Sequence, residues 1–159
     1  MNIRLITVGR VKEKFFTEAV AEYSKRLSRY CTLTVAEVLD EPTPENAADS
    51  VKAEIMRREG IRILKHVRDS DYVIALAIEG KQRTSEELAE HLNDLAIGGR
   101  STIDFIIGGS LGLAPEVMSR SDEALSFSKM TFPHPLMRVI LLEQVYRSFR
   151  IIRHEPYHK

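Results

Sequence analysis

The chain has only one cysteine, Cys31, among its 159 residues. That excludes an internal disulfide and any cysteine-rich zinc site, and the apolar neighbourhood of Cys31 predicts a buried, inert thiol. No apolar run approaches the ~18 residues of a membrane span. The opening Met1-Asn2-Ile3-Arg4-Leu5 leads straight into a strand-like run and lacks the apolar stretch and small-residue cleavage site of a signal peptide, so a soluble, cytoplasmic protein is expected. Net charge is missing too, since 23 basic residues balance 23 acidic ones. The whole-molecule field therefore gives no reason to expect nucleic acid. There is no internal repeat and no low-complexity segment.

What is present is ordinary for a globular protein: 43% apolar and 29% charged residues. One domain spanning residues 1–159 is expected, long enough to bury roughly two-thirds of its unfolded surface. The charge is unevenly spread. Residues 1–30 hold seven Lys/Arg against three acids, 37–60 hold three against seven, and 134–159 hold five against two plus three histidines. If the fold brings the basic ends together they form one positive face suited to phosphates. Scattered surface charge is the plainer alternative.

Strand and helix patterns alternate along the chain. Ile3 to Val8 is β-rich and ends at Gly9, after which Phe16, Val20, Tyr23, Leu27 and Tyr30 recur at helical spacing. A strand is predicted over Leu33–Val38, an exposed acidic loop over Asp40–Asn46, and a helix from about Ser50 to Val67 that Gly60 interrupts. Tyr72–Ile78 reads as a core strand. Thr84-Ser85-Glu86-Glu87 fits a capping box opening a helix that runs to about Ala96 and stops at Gly98-Gly99. Ile103–Ile107 is a continuous apolar strand of the kind buried on both faces. From Leu136, the positions Met137, Leu141, Val145, Phe149 and Ile152 trace a long amphipathic helix. The alternation predicts an α/β sandwich around a largely parallel sheet.

Two stretches carry chemistry. Gly108-Gly109-Ser110-Leu111-Gly112 follows a strand, where bare backbone lets a ligand come close. It lacks G-x-G-x-x-G spacing, and Ala114–Arg120 leaves little room for the full helix of an ordinary parallel crossover. Phe127-Ser128-Lys129-Met130-Thr131-Phe132-Pro133-His134 sets polar groups beside apolar walls, as a small-molecule pocket requires.

These stretches, with Leu76 on its strand, Arg138-Val139, Glu143-Gln144-Val145-Tyr146-Arg147 and the terminal Tyr157-His158-Lys159, resemble the ribosomal RNA large subunit methyltransferase H family over the whole chain. The resemblance implies a SPOUT fold with a C-terminal trefoil knot and a homodimer whose active site lies at the subunit interface. It also implies S-adenosylmethionine as cofactor and methylation of N3 of pseudouridine 1915 in 23S rRNA of the assembled ribosome.

Carried over to this sequence, the resemblance makes Leu76, Gly108 and the run Phe127, Ser128, Lys129, Met130, Thr131 and Phe132 the cofactor pocket. His134, Arg138, Tyr157 and His158 form the catalytic set, with Arg147 and Lys159 holding RNA. Methylating an imide nitrogen requires its proton to leave, and His134 and His158 are the candidates to take it or to position the substrate. Tyr157 suits a flipped base, by stacking or hydrogen bonding. No metal is needed. His154 stands near the end of the last helix where Gly or Asn is the common cap, and Pro135-Leu136 follows His134 where relatives often carry Gln first, so the exit of the tail is expected to differ. Two alternatives stay open: a ribosome-associated binding protein that transfers nothing, and a nucleotide-binding α/β protein using the glycine turn for phosphate.

Overall fold

The computed structural model describes residues 1–159. The elements run β1 (Asn2–Val8), α1 (Lys14–Leu27), β2 (Thr32–Val38), α2 (Asp49–Leu64), β3 (Tyr72–Gln82), α3 (Ser85–Ile97), β4 (Thr102–Ile107), α4 (Pro115–Arg120), β5 (Glu123–Ser126) and α5 (His134–Ile152). The strands form one five-stranded sheet in the order β2-β1-β4-β3-β5, and every pairing is parallel.

The period-2 alternation of side chains along a strand divides the apolar residues between two layers. Ile3 and Leu5 of β1, Ile74 of β3 and Ile103, Phe105 and Ile107 of β4 pack with Leu92 of α3 and Leu141, Leu142 and Val145 of α5. Ile6 and Val8 of β1, Val73 of β3 and Ile106 of β4 pack on the other face with Ile63 of α2 and Val117 of α4. Because both faces are covered, the strands read as unbroken apolar runs. Each fully buried Leu or Ile contributes about 1.5–3 kcal/mol relative to exposure. A polar cluster interrupts the core: Arg4 and Asp104 face each other across β1 and β4, Arg4 Nε donates to Asp104 Oδ1 at 2.7 Å, and Arg4 also pairs with Asp71. Burial pushes the Asp104 carboxyl upward and the guanidinium opposes it.

The Thr84 capping box forms: Glu87 N–H donates to Thr84 Oγ1 at 3.1 Å while Thr84 N–H donates to Glu87 Oε2 at 2.8 Å. Gly60 does not interrupt α2. A Cβ there would lie 3.1 Å from Ala114 Cβ and 3.2 Å from a Val117 methyl, so the glycine lets α2 approach α4 closely. Tyr30 lies beyond α1, in a turn, with its ring stacked on Phe149 at 5.7 Å. α5 begins two residues earlier than its apolar spacing indicated, because prolines 133 and 135 are compatible with the N-cap and first turn.

The stretch after Gly112 differs from expectation. It does make a crossover, from β4 past β3 to β5, using a helix of six residues. Space for it comes from the glycine turn, where Gly112 N–H donates to the Gly109 carbonyl at 3.1 Å and Gly112 has φ +88°. At the end of α5, His154 takes φ +55°. Its N–H donates to the Ile151 carbonyl at 3.0 Å and Glu155 N–H donates to the Arg150 carbonyl at 2.9 Å, the paired bonds of a glycine-type helix terminus. Histidine thus occupies the glycine conformation and the tail still turns back along α5.

Candidate functional site

Parallel sheets present their ligand crevices at the carboxyl ends of the strands. Here the ends of β3, β4 and β5 enclose a cleft of about 480 Å³, within the range of small-molecule sites. Leu76, Ala77, Ile78 and Glu79 form one wall, Ile107 to Leu113 a second, and Leu125 to Ser128 with Met130, Thr131 and Phe132 a third; Met118, His134 and Met137 complete it. The β3 wall exists because the strand bulges between Leu76 and Lys81, both of which align with Leu125. The third wall is folded by its own serines. The Ser126 hydroxyl donates to the Ser128 carbonyl at 3.1 Å and Met130 N–H donates to Ser128 Oγ at 3.0 Å.

Of the expected cofactor residues, Leu76, Gly108, Phe127, Ser128, Met130, Thr131 and Phe132 line this cleft and Lys129 does not. Gly108 is required by the chain's own packing, since a Cβ there would lie 2.8 Å from the carbonyl carbon of Gly112. Glu79 and His134 are the ionisable side chains of the lining, which contains no lysine or arginine.

His134 opens α5. Its Nδ1 lies 3.2 Å from the Gly108 carbonyl; a carbonyl only accepts, so Nδ1 carries the proton. Burial first, then nearby Arg138, holds its pKa below the ordinary imidazole value, against a smaller upward pull from Asp40. Arg138 itself is 3% exposed and stands behind the cleft. It donates to Glu37 Oε2 at 2.6 Å and to the Gly9 carbonyl at 2.6 Å, tying α5 to the ends of β1 and β2. Glu59, which the sequence did not single out, lies beneath the turn. Its Oε1 accepts from Glu41 N–H at 3.1 Å, its Oε2 has no partner, and a Cβ on Gly109 would lie 2.9 Å from that oxygen. Burial raises its pKa.

The tail residues gather elsewhere, on α5 and the start of α3. Tyr157 Oη donates to Glu143 Oε1 at 3.1 Å, and the Arg147 guanidinium sits 4.8 Å from the Tyr157 ring centre. Arg147 Nε donates to Glu143 Oε1 at 3.1 Å. His158 is held between Arg147 and Glu86. Burial, then the Glu143 contact, pushes the Tyr157 hydroxyl up to about 12. Neither Tyr157 nor His158 lines the cleft of its own chain, and Lys159 is exposed. The two basic ends do meet, with α1 against α5, but carboxylates occupy part of the charge: Arg26 pairs with Glu22, Arg147 with Glu143 and Arg150 with Glu155. Cys31 is half-buried, and burial raises its thiol to about 11.

The family model described as "Predicted SPOUT methyltransferase" matches residues 1–158. The chain belongs to the SPOUT methyltransferase family. It is 63% identical over 159 residues to "Ribosomal RNA large subunit methyltransferase H" of Bifidobacterium adolescentis, covering 100% of both chains. With the protein of that name from Clostridium botulinum it shares 57% identity, again over 100% of both. A solved structure of a probable methylase family protein from Haemophilus influenzae has the same fold, with a TM-score of 0.53 at 14% identity, covering 99% of this chain and 70% of the other. The family's α/β class with a parallel sheet, expected from the sequence, is the fold observed. No helix is long and apolar enough to cross a membrane.

The lining residues that sequence reasoning missed are chiefly Ile78, Glu79, Leu113, Met118 and Met137. Their signal was hidden, because each sits in a segment whose apolar pattern reads simply as strand end, short turn or helix face.

Proposed function

We propose that this SPOUT family member uses S-adenosylmethionine to methylate N3 of pseudouridine 1915 in 23S rRNA of the assembled ribosome, acting in the cytoplasm as a homodimer. The observation that carries the cofactor assignment is the charge of the cleft. Its one carboxylate, Glu79, suits a ligand bearing a sulfonium and an ammonium group, and it offers a polyphosphate no cation. α4 is too short to supply a useful helix dipole to phosphate. The nucleotide-binding alternative is therefore the weaker one. The relatives' names, matched over the full length of this chain, supply the rRNA assignment.

When bound, the cofactor supplies an electrophilic methyl group. Leu76 and Phe127 provide apolar walls for adenine, and the Ser128–Phe132 backbone, Lys129 included, provides its hydrogen-bonding edge. His134 faces the substrate side, Arg138 fixes the start of α5, Tyr157 and His158 approach the flipped base, and Arg147 and Lys159 hold phosphates. A homodimer accounts for the separation of tail and cleft in one chain, because a second copy brings a tail to each cleft. The trefoil knot belongs to the same reading, supported by the close passage of β5 across Gly80, where a Cβ would lie 2.7 Å from Ala124 backbone atoms.

The test is transfer of labelled methyl from S-adenosylmethionine to ribosomes lacking the modification, with the product nucleoside identified. Label on N3 of the pseudouridine is expected. Cofactor binding without transfer to any ribosomal substrate would favour the binding-protein alternative.

A further inference from the structure

The two candidate histidines differ in what their ring nitrogens have left to offer. His134 spends Nδ1–H on the Gly108 carbonyl at 3.2 Å, so its lone pair is at Nε2. That nitrogen makes no hydrogen bond within the protein, and the ring lines the cleft. Placement in the first turn of α5, between two prolines, leaves the backbone beneath it little freedom. His158 is the opposite case. Arg147 Nη1 lies 3.2 Å from its Nδ1; a guanidinium only donates, so Nδ1 must accept. Its Nε2 then carries the proton and donates to Glu86 Oε1 at 2.7 Å. Both nitrogens are engaged and no lone pair remains.

We propose that His134 Nε2 removes the N3 proton, while His158 is a positioning residue that fixes the tail through Arg147 and Glu86. The proposal rests on the methyltransferase reading above and deepens it. In the step, the Nε2 lone pair takes the proton and the N3–H bonding pair stays on N3 to become the new nitrogen–carbon bond. The pair of the broken carbon–sulfur bond stays on sulfur, and the imidazolium later returns its proton to water. The charged groups around His134 suit that cycle. Arg138, one turn along α5, disfavours the imidazolium before reaction, but Glu37 pairs with that guanidinium at 2.6 Å. Asp40, after β2, favours the imidazolium once formed. Glu79 also lines the cleft, and the charge on the 127–132 loop, Lys129, lies outside the lining.

Because burial and Arg138 depress the His134 pKa, the ring is a free base at neutral pH. Activity is lost only as pH falls through that lowered value. Single-turnover methylation of unmodified ribosomes across the acid-to-neutral range, with cofactor binding followed by calorimetry, separates the roles. His134→Gln should lower the rate about 10²-fold or more and remove the acid limb, with cofactor binding retained. His158→Gln should keep the acid limb and weaken apparent affinity for the ribosome. A His134→Gln enzyme with the wild-type limb, or a His158→Gln enzyme without it, overturns the assignment. If His134→Gln does not bind cofactor, ¹⁵N NMR of the wild-type rings decides: an Nδ1–H tautomer at His134 supports the proposal and an Nε2–H tautomer overturns it. A wild-type protein that methylates no ribosomal substrate counts against the function itself, and the NMR result still reads the tautomer separately.

Discussion

Glu79 is the single carboxylate of the cleft lining, and on the proposed function its value lies in what the reaction does to charge. On the proposed function, S-adenosylmethionine enters with a positive sulfur and leaves as a neutral thioether, its ammonium group unchanged, so a nearby carboxylate attracts the substrate form more than the product. Water screens an exposed group, which limits the effect to a modest factor. Glu79→Gln should therefore weaken S-adenosylmethionine binding about two- to fivefold and S-adenosylhomocysteine binding by less, because the product keeps only the ammonium charge. Calorimetric titration with both ligands checks this, and an equal loss for both would show that Glu79 does not act on the sulfonium charge. Most of the cleft was legible in the residues: Leu76, Gly108 and the phenylalanines at 127 and 132 all line it. Glu79 was hidden because it belongs to a bulge, and a bulge leaves no periodic signature. Lys129 is absent from the lining, since neighbouring residues in an irregular loop need not face the same way.

At the scale of elements, the site depends on chain segments passing closer together than side chains allow. β5 crosses the β3 bulge at Gly80, where an added Cβ would meet Ala124 and Leu125 backbone atoms at 2.7 to 2.8 Å. Backbone cannot swing aside as a flexible side chain does, so Gly80→Ala should cost about 1–3 kcal/mol of stability and open the cleft walls at Leu76 and Leu125. Urea unfolding measures the first, and cofactor affinity the second. Unchanged values for both would mean that β3 and β5 are not locked at this crossing. The major helices and strands could be read from sequence because each repeats its apolar period several times. β5 and α4 could not, since four and six residues respectively are too few to display a period. They emerge only in the assembled sheet, where β5 pairs with the outer edge of β3.

For the whole molecule, the decisive quantity is the balance of charge. A protein that gripped free RNA would draw most of its affinity from phosphate neutralisation and would be strongly basic, whereas this chain has a formal net charge of zero. The fold does set the basic ends side by side, yet Glu143 and Glu155 take up Arg147 and Arg150. On the proposed function, the weak positive charge that remains suits a preformed surface that supplies the rest of the recognition by shape. Methylation of an isolated RNA fragment carrying the target pseudouridine should then be at least about 10²-fold slower than methylation of the assembled ribosome, with the difference in apparent substrate affinity. Steady-state rates on the RNA fragment, the free large subunit and the assembled ribosome check this. Comparable kcat/KM values on the RNA fragment and the ribosome would mean that the enzyme carries its own RNA specificity, and would shift attention from the particle surface to the cluster that Arg147 of α5 forms with Tyr157 and His158.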